Sequence, residues 1–357
     1  MENKILFVIP KLCNGGAERR VAFLANSFSG LGYDVSVLSF WETDGDYALD
    51  EKIRRLHLSD KLRFDHHASD KKRMLELRGL MRKAKPNIVF TMHPPVAMMV
   101  GIAGFAIPFK AIDLVEVSPN HMQHMKRRIF GWKRSDIIML QCEKQLFYMD
   151  KKFKNKCRVV YNPVDQKFLD ASKSYDNKII EFINVGRLDP EKNHPLLLQA
   201  FKAVHEKHRE IRLTIFGKGP QKDNVIKFAH ELSLDNIVTF VDRSSDMVSD
   251  YAKRDAFILS SDFEGMPNAL LEAMATGLPS ISTNCDTGPS DIIADGENGI
   301  LVPIGDKEKL AEAIEKFVNN PDQAIRMGKL GKETIRQKFA EDIIIKEYKK
   351  VVDSLLK

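Results

Sequence analysis

Short, uninterrupted apolar segments, each followed by a turn and an amphipathic helix, recur along this chain. The first is K-I-L-F-V-I-P at residues 4–10, followed by N-G-G at residues 14–16 and a helical pattern over residues 17–31. Another strand-like run, Y-D-V-S-V-L-S-F, occupies residues 33–40. A continuous apolar run is typical of a strand in a parallel sheet that is covered on both faces. The sequence therefore predicts an α/β protein built from β-α-β units.

The same pattern restarts at residue 179, which indicates two domains. A chain of 357 residues is also too long for one ordinary core. The polar segment Q-K-F-L-D-A-S-K-S-Y-D-N, residues 166–177, is predicted to link the two halves. We expect an N-terminal domain over residues 1–168, a second domain over residues 176–340, and a final helix over residues 341–357.

The remaining elements follow from the same periodicities. Residues 51–85 are polar and are predicted to be helical. Further strands of the first half are predicted at residues 87–91, 111–117, 136–141 and 158–161. Those of the second half are predicted at residues 179–185, 211–216, 237–241, 256–259 and 280–283. Residues 280–283 form the last clear strand in the sequence.

Composition narrows the class of protein. No apolar run reaches the roughly 18 residues that a membrane span needs, and residues 5–9 form a strand rather than the apolar region of a signal peptide. The four cysteines, Cys13, Cys142, Cys157 and Cys285, show neither C-x-x-C pairing nor metal-ligand spacing. We expect unpaired thiols in a reducing cytosol.

Charge is distributed unevenly between the halves. Residues 1–170 carry 29 Lys and Arg against 19 Asp and Glu, whereas the rest carries 26 against 30. Residues 121–134, H-M-Q-H-M-K-R-R-I-F-G-W-K-R, interleave cations with apolar side chains, and residues 151–158 add more cations. No nucleic-acid-binding module is present. The pattern predicts a cytoplasmic protein that contacts the inner, anionic membrane surface, with a solvated helix face as the alternative.

Two glutamates lie in the segment S-D-F-E-G-M-P-N-A-L-L-E-A-M-A-T-G-L-P, residues 261–279. Glu264 falls in a turn after a predicted strand, and Glu272 falls a little over one turn inside the helix that begins at Asn268. Open α/β sheets bind ligands at this edge, and the amides that begin a helix can hold a phosphate. Either glutamate alone would be an ordinary surface residue, but together they indicate a binding site.

Two cations flank a turn after another strand, in G-R-L-D-P-E-K-N at residues 186–193. Arg187 and Lys192 can converge there on one diphosphate, since Arg offers planar bidentate contacts and Lys a mobile point charge. The next strand ends in G-K-G-P at residues 217–220. Neither half contains G-x-G-x-x-G, so the dinucleotide-binding fingerprint is absent.

The segment 261–279 resembles the Glu-x7-Glu signature of retaining glycosyltransferases of the GT-B fold, family 4. Five further segments of the chain resemble motifs of the same family. They are G-G-A-E-R (residues 15–19), N-P-V-D (162–165), V-G-R-L-D-P-E-K-N (185–193), G-K-G-P (217–220) and N-G-I-L-V (298–302). The resemblance is strong over residues 180–305 and patchy over residues 1–165.

This resemblance implies two facing Rossmann-like domains with parallel sheets, and a last helix that crosses back onto the first domain. The first domain would bind the acceptor and the second a nucleotide-sugar, most simply a UDP-sugar. A hexose or N-acetylhexosamine would be transferred to a saccharide acceptor with retention of the anomeric configuration. The acceptor is expected to be lipid-linked, in the synthesis of a bacterial envelope, capsule or exopolysaccharide. No metal and no cofactor is expected, because the nucleotide-sugar is a substrate.

Family motifs assign roles in the second half. Arg187 and Lys192 would neutralise the diphosphate leaving group, Glu264 would bind the donor sugar, and Glu272 would accept hydrogen bonds from the ribose hydroxyls. The full donor-binding set implied by the resemblance is Gly15, Gly16, Gly186, Arg187, Lys192, Gly217, Arg243, Glu264, Gly265, Met266, Pro267, Asn268, Ala269 and Glu272.

Catalytic candidates come from both halves. Those of the second are Glu264, Arg187 and Lys192. In the first half, His93 follows a strand, and V-E-V-S-P-N-H (residues 115–121) resembles the S-E-x-S/N loop of family members that act on lipid-linked sugars, with its glutamate shifted. Glu116, Asn120 and His121 are therefore candidates as well. The sequence D-G-D at residues 44–46 is interpreted as a polar turn rather than a metal site.

Two other classes stay open at this level: a sugar-nucleotide epimerase of similar fold, and an NAD-dependent oxidoreductase with two Rossmann-like domains. Transfer of sugar to an added acceptor would distinguish the first of these, and nicotinamide fluorescence the second. A non-catalytic binding protein is disfavoured, because both glutamates and both cations are present.

Overall fold

The computed structural model describes residues 3–13, 15–41, 45–59, 70–118, 121 and 125–357. The chain divides into two compact units. One comprises Met1–Tyr161 together with Ile345–Lys357, and the other comprises Asn162–Ile344. Within the described residues, no helix is both long and apolar enough to cross a membrane.

The first unit contains a parallel sheet in the order β3-β2-β1-β4-β5-β6-β7. Its strands are β1 (Lys4–Ile9), β2 (Asp34–Ser39), β3 (Arg54–His57), β4 (Ile88–Met92), β5 (Lys110–Leu114), β6 (Ile137–Leu140) and β7 (Cys157–Val159). Its helices are α1 (Gly16–Gly30), α2 (Asp70–Ala84), α3 (Pro94–Ala103), α4 (Met125–Arg134) and α5 (Gln145–Tyr148), with a 3₁₀ helix at Lys151–Lys156.

The second unit contains a parallel sheet in the order β10-β9-β8-β11-β12-β13. Its strands are β8 (Glu181–Val185), β9 (Arg212–Phe216), β10 (Val238–Val241), β11 (Ala256–Leu259), β12 (Ser280–Thr283) and β13 (Ile300–Val302). The helices from residue 162 onward are α6 (Gln166–Leu169), α7 (His194–His205), α8 (Lys222–Glu231), α9 (Met247–Ala252), α10 (Asn268–Ala275), α11 (Pro289–Ile292), α12 (Lys307–Asn319), α13 (Pro321–Lys338) and α14 (Glu341–Leu356), with a 3₁₀ turn at Pro190–Lys192.

The central strands are buried throughout, as expected for parallel strands covered on both faces. Every residue of β4, β6, β11 and β12 is buried. In the first unit, Phe7 of β1 stacks on Phe90 of β4 with ring centroids 4.7 Å apart. The continuous apolar runs in the sequence are therefore explained by burial on both sides of each sheet.

Two strands differ from the sequence prediction. Arg54–His57 is strand β3, although residues 51–85 were expected to be helical; residues 60–69 of that prediction lie outside the described residues. As an edge strand it tolerates charge, and Arg54 Nη2 contacts both carboxylate oxygens of Asp34 on β2, at 2.6 and 2.8 Å. Strand β13, three residues at the sheet edge, is not among the predicted strands.

The polar segment predicted as a linker, residues 166–177, lies inside the second unit. It begins with α6, and hydrogen bonds join its remainder to that unit. Lys332 Nζ donates to the Ala171 carbonyl at 2.9 Å, and the Tyr175 hydroxyl donates to the Gly277 carbonyl at 3.0 Å. The division between the units falls at residues 161 and 162 instead.

The C-terminal part of α14 belongs to the first unit. There the buried Arg20 of α1 donates from Nε to the hydroxyl of the fully buried Tyr348 at 2.8 Å, and from Nη1 to the Val115 carbonyl at 3.4 Å. The Tyr33 hydroxyl donates to Asp353 at 2.7 Å. Burial raises the pKa of Tyr348, and the charge of Arg20 opposes that rise. These contacts attach residues 345–357 to α1 and its flanking turn.

The turns after β8 and β9 touch through their backbones. A Cβ atom at Gly217 would lie 1.8 Å from the Gly186 carbonyl oxygen, and one at Gly219 would lie 2.3 Å from the Leu188 carbonyl oxygen. The backbone N–H of Leu188 donates to the Lys218 carbonyl at 2.9 Å. The glycines of G-K-G-P are therefore required by the packing of one chain segment on another.

Gly217→Ala is expected to destabilise the protein by about 2–3 kcal/mol, because the added methyl group overlaps backbone that has no room to move. Urea unfolding measured by circular dichroism tests this. Gly186→Ala is the matched control, since its Cβ would meet only the Lys192 side chain at 3.7 Å or more. Equal midpoints for the two variants would contradict the packing argument.

Candidate functional site

The strands β8 and β11 are neighbours at the centre of the second sheet. Chain order runs outward from β8 to β10 on one side and from β11 to β13 on the other, so the sheet has its topological switch point between them. Ligands of open α/β sheets bind outside the carboxyl ends of the strands at such a point. The turn after β8 and the turn after β11 are the two segments that carry the predicted donor motifs.

These turns bring Lys192 and Glu264 into contact. Lys192 Nζ lies 2.6 Å from Glu264 Oε1, and the Ser261 hydroxyl donates to the same oxygen at 2.7 Å. The Ser260 hydroxyl donates to the Lys192 carbonyl at 2.8 Å. The two charged side chains are 21% and 10% exposed, so the pair is largely shielded but open to water on one side. The result is a cation and a carboxylate fixed next to each other at the edge of the sheet.

Arg187 occupies the same turn but is open to solvent, with its side chain 73% exposed. Its Nε lies 2.8 Å from Oδ2 of the buried Asp189. The guanidinium is thus held along one edge by a residue that sequence reasoning did not single out. The sequence does contain a signal for this ion pair, because Asp189 is an acidic residue two positions after Arg187 in the same turn.

Asn193 ends this turn in the left-handed conformation, with φ 45° and ψ 50°. Its side chain caps α7 by accepting from the Leu196 N–H at 3.2 Å, and its Nδ2 donates to Asp262 at 2.7 Å. Few residues other than glycine and asparagine adopt this conformation readily. Asn193 therefore closes the Lys192 turn and ties it to the turn after β11.

The turn after β11 leads into α10 and packs against the segment that follows β12. The Thr287 hydroxyl donates to the Glu264 carbonyl at 2.6 Å. A Cβ at Gly288 would lie 2.7 Å from the Gly265 carbonyl oxygen. Gly265, Met266 and Pro267 are buried, and Asn268 and Ala269 are half-buried. The Asn162 amide donates to Asn268 at 3.0 Å. Position and shape of the turn thus depend on neighbours distant in sequence.

Glu272 is buried on α10. The hydroxyl of the fully buried Tyr251 lies 3.3 Å from both Glu272 Oε2 and the Ala269 carbonyl. Sequence reasoning did not identify Tyr251, and no motif marks it. Arg243 lies exposed on the loop after β10, two strands away from β8 in the sheet.

In the first unit, Gly15 and Gly16 lie at the start of α1. The carboxylate of Glu18 folds back over them, since a Cβ at Gly15 would lie 2.0 Å from Glu18 Oε2. Burial raises the pKa of Glu18, and a backbone hydrogen bond and His93 oppose that rise. An anion at this helix end would have to displace the glutamate, so donor contact by Gly15 and Gly16 stays a prediction.

His93 and Glu116 meet at the ends of β4 and β5. His93 Nδ1 lies 3.1 Å from Glu116 Oε2. Burial lowers the pKa of His93, but the hydrogen bond and charge of Glu116, with the charge of Glu18, outweigh it, and the net direction is upward. His121 is exposed, with its N–H donating to the Ser118 carbonyl at 3.0 Å.

Three of the predicted residues lie in parts of the chain that are not described, and only the last two residues of the D-G-D segment are described. Asn14, Asp44 and Asn120 lie outside the described residues. Asp46, the second acid of D-G-D, pairs with Arg55 at 3.4 Å. Where the structure describes the chain, no group of three or more His, Cys, Asp or Glu side chains is placed to hold a metal ion.

The four cysteines are buried thiols that form no disulfide within the described residues. Burial raises the pKa of Cys157 to about 11 and that of Cys285 to about 12. Neither of these two thiols is a nucleophile near neutral pH, because only the thiolate reacts.

Comparison with known proteins extends these observations. Residues 14–168 match the model of Glycosyltransferase Family 4, and residues 165–334 match that of Glycosyl transferases group 1. A Haemophilus influenzae protein named "Uncharacterized glycosyltransferase" is 26% identical over 359 residues, covering 98% of this chain and 99% of that protein.

A Campylobacter jejuni relative is 26% identical over 334 residues, covering 89% of each chain. It is named GalNAc-alpha-(1->4)-GalNAc-alpha-(1->3)-diNAcBac-PP-undecaprenol alpha-1,4-N-acetyl-D-galactosaminyltransferase. Among solved structures, the pneumococcal O-GlcNAc transferase GtfA in complex with UDP and GlcNAc superposes with a TM-score of 0.81 at 13% identity, covering 99% of both chains. The two parallel-sheet units thus have the GT-B fold, as the sequence predicted.

Asn193→Ala is expected to destabilise the protein by about 2 kcal/mol, because it removes a helix cap and leaves a residue with a Cβ in the left-handed conformation. Asn193→Gly removes the same side-chain hydrogen bonds but adopts the conformation freely, so it should lose only about half as much. Urea unfolding separates the two contributions. A glycine variant as unstable as the alanine variant would contradict the conformational part.

Proposed function

The chain belongs to the family 4 and group 1 glycosyltransferases, and we propose that it transfers a hexose or N-acetylhexosamine from a UDP-sugar to a saccharide acceptor with retention of configuration. The observation that carries the proposal is the Lys192–Glu264 pair at the switch point of the second sheet, 2.6 Å apart and open to water. It supplies a cation for the diphosphate and a carboxylate for the sugar at adjacent positions.

The positive charges of Arg187 and Lys192 would stabilise the diphosphate leaving group. A departing nucleoside diphosphate gains negative charge in the transition state, and fixed cations stabilise that charge without reorganising. Lys192, held by Glu264, and Arg187, held by Asp189, are the two cations of the turn after β8 that meet this need. Because side-chain cations do this work, we propose that turnover needs no metal.

Other groups would orient the donor. Glu272, held by Tyr251, would accept hydrogen bonds from the vicinal hydroxyls of the ribose. Glu264 would accept hydrogen bonds from the donor sugar, beside the amides at the start of α10. We assign no carboxylate of the described residues as a covalent nucleophile, and we propose that retention arises because the acceptor attacks on the face from which the leaving group departs.

Choice of substrates rests on the relatives. UDP is bound in the similar pneumococcal structure, which favours a UDP-sugar here. The Campylobacter relative is named for an undecaprenyl-diphosphate-linked acceptor, and further relatives are named for lipopolysaccharide core and capsular polysaccharide biosynthesis. We therefore propose a lipid-linked saccharide acceptor and a role in surface polysaccharide synthesis.

The protein would bind a lipid-linked acceptor at a membrane surface. On α4, Lys126, Arg127 and Lys133 are exposed beside Phe130, whose exposed fraction is 37%. Phe105, on the turn after α3, is 63% exposed, and Arg134 lies over its ring at 5.6 Å. Cations with exposed aromatic side chains favour reversible binding to an anionic leaflet. We propose that this surface contacts the inner face of the cell membrane.

Donor turnover tests the proposed reaction. Purified protein is incubated with UDP-, GDP- and ADP-sugars, and release of free nucleotide is followed with and without EDTA. We expect slow release from a UDP-sugar that EDTA does not affect. Lys192→Ala and Glu264→Ala should each lower kcat/KM by about 100-fold or more, since each removes charge at the reaction centre.

The matched controls for that experiment are Lys227→Ala and Glu231→Ala, which break an exposed pair on α8 with atoms 3.9 Å apart. They should retain activity. No release from any donor, together with no thermal shift by UDP or GDP, would refute the nucleotide-sugar site. Isomerised donor sugar without transfer to an added acceptor would instead indicate an epimerase.

Membrane contact is tested by co-sedimentation with vesicles of phosphatidylglycerol and phosphatidylcholine. Each cation near an anionic surface contributes about 1 kcal/mol, so Arg127→Gln combined with Lys133→Gln should weaken binding about tenfold or more. Binding should also weaken with added salt. Lys227→Gln combined with Lys253→Gln, in the second unit, serves as control. Absence of salt-sensitive binding by the wild type would rule the contact out.

A further inference from the structure

Three ionisable side chains of the first unit come together from three different segments. Glu18 lies on α1, which follows β1; His93 follows β4; and Glu116 follows β5. Strands β1, β4 and β5 are consecutive neighbours in the sheet, so their carboxyl ends open side by side. The cluster therefore lies at the ligand-binding edge of this sheet.

One carboxylate holds both the main chain and the ring of His93. Glu116 Oε1 accepts from the His93 backbone N–H at 3.1 Å, and Glu116 Oε2 lies 3.1 Å from His93 Nδ1. His93 has φ 74° and ψ 136°, a backbone conformation that residues with a Cβ rarely adopt. A strained conformation persists only where surrounding contacts impose it, and the two contacts with Glu116 are of that kind.

The charges around His93 favour its protonated form. Glu116 contacts the ring, the charge of Glu18 on α1 acts in the same direction, and the buried Arg128 of α4 opposes them. Lys11 acts on Glu18, and the fully buried Asp113, whose pKa is raised to about 6 by burial, acts on Arg128. Burial lowers the pKa of His93, but the two carboxylates raise it further than burial lowers it.

We propose that Glu116 is a positioning residue that locks His93 as an imidazolium with Nδ1 bound, leaving Nε2 to donate a hydrogen bond to an oxygen of the bound substrate. This proposal rests on the proposed glycosyl transfer for the identity of the substrate. It assigns Glu116 a role through His93 rather than direct contact with the reacting atoms. Since Nδ1 is occupied by Glu116, Nε2 is the ring nitrogen that remains for a ligand, and the ring is 30% exposed.

The first test is nuclear magnetic resonance of protein labelled with ¹⁵N-histidine. The signals of His93, among the 10 histidines, are identified by their loss in His93→Asn, a residue that tolerates positive φ. In wild type, the midpoint of the His93 titration should lie above that of an exposed histidine. Glu116→Gln should lower it by about 1 pH unit or more, because the opposite charge is lost. Glu51→Gln, an exposed carboxylate of the same unit, should leave it unchanged.

The second test uses the pH dependence of donor turnover. As pH rises through the His93 midpoint the imidazolium is lost, so kcat/KM should fall on the alkaline side, and in Glu116→Gln this fall should begin at lower pH. Glu116→Asp keeps the charge but is too short to accept from both N–H groups. It should restore most of the titration midpoint while kcat stays reduced.

An unchanged His93 midpoint in a folded Glu116→Gln protein would overturn the proposal. A shifted midpoint with an unshifted alkaline limb of kcat/KM would also overturn it, because His93 would then be structural. Failure of the proposed function is recognised separately, by the absence of turnover and of UDP binding in the wild type. The midpoints of the titration would still decide whether Glu116 controls His93.

Discussion

Covering a parallel sheet on both faces is the constraint on which both units depend. Parallel neighbours need a crossover connection, and helices that bury both faces of the sheet supply it. All strands then point the same way, and every loop that follows a strand opens at one edge. Lys192 and Glu264 are 72 positions apart in the chain, yet they touch because β8 and β11 are neighbours with the same direction. The candidate site is thus a consequence of strand order.

Each unit pairs a cation with a carboxylate at this edge, but the two pairs differ in kind. Lys192–Glu264 joins a lysine and a glutamate whose side-chain atoms lie 2.6 Å apart, and we propose it as part of the counter-charge for a diphosphate. His93–Glu116 includes the side chain whose charge changes most readily near neutral pH. Its state is set by the balance between burial and the two carboxylates around it. The charge of the pair in the first unit therefore depends on its surroundings, whereas the pair in the second unit joins a lysine directly to a glutamate.

Motif residues that the sequence assigns to ligand binding also have structural duties. Gly217 lies against the Gly186 carbonyl and Gly288 against that of Gly265, so these glycines let turns pack on turns. Asn193 caps a helix in a conformation that suits asparagine and glycine, which accounts for the asparagine at the end of V-G-R-L-D-P-E-K-N. The motifs describe the architecture that holds the site as much as the side chains that act in it.

The sequence by itself determined the α/β class, nearly all strands, the second-unit motifs and the family, because continuous apolar runs and turn residues are local signals. It did not reveal β3, an edge strand with the charged sequence R-R-L-H, or β13, the three-residue strand I-L-V. Nor did it identify Asp189, Tyr251, Ser261 or Glu18, because their contacts depend on how the turns fold or, for Tyr251, on the packing of one helix against another. Only the tertiary structure decided that Glu116 holds His93, since pairing, burial and the resulting pKa depend on neighbouring strands that no local pattern specifies.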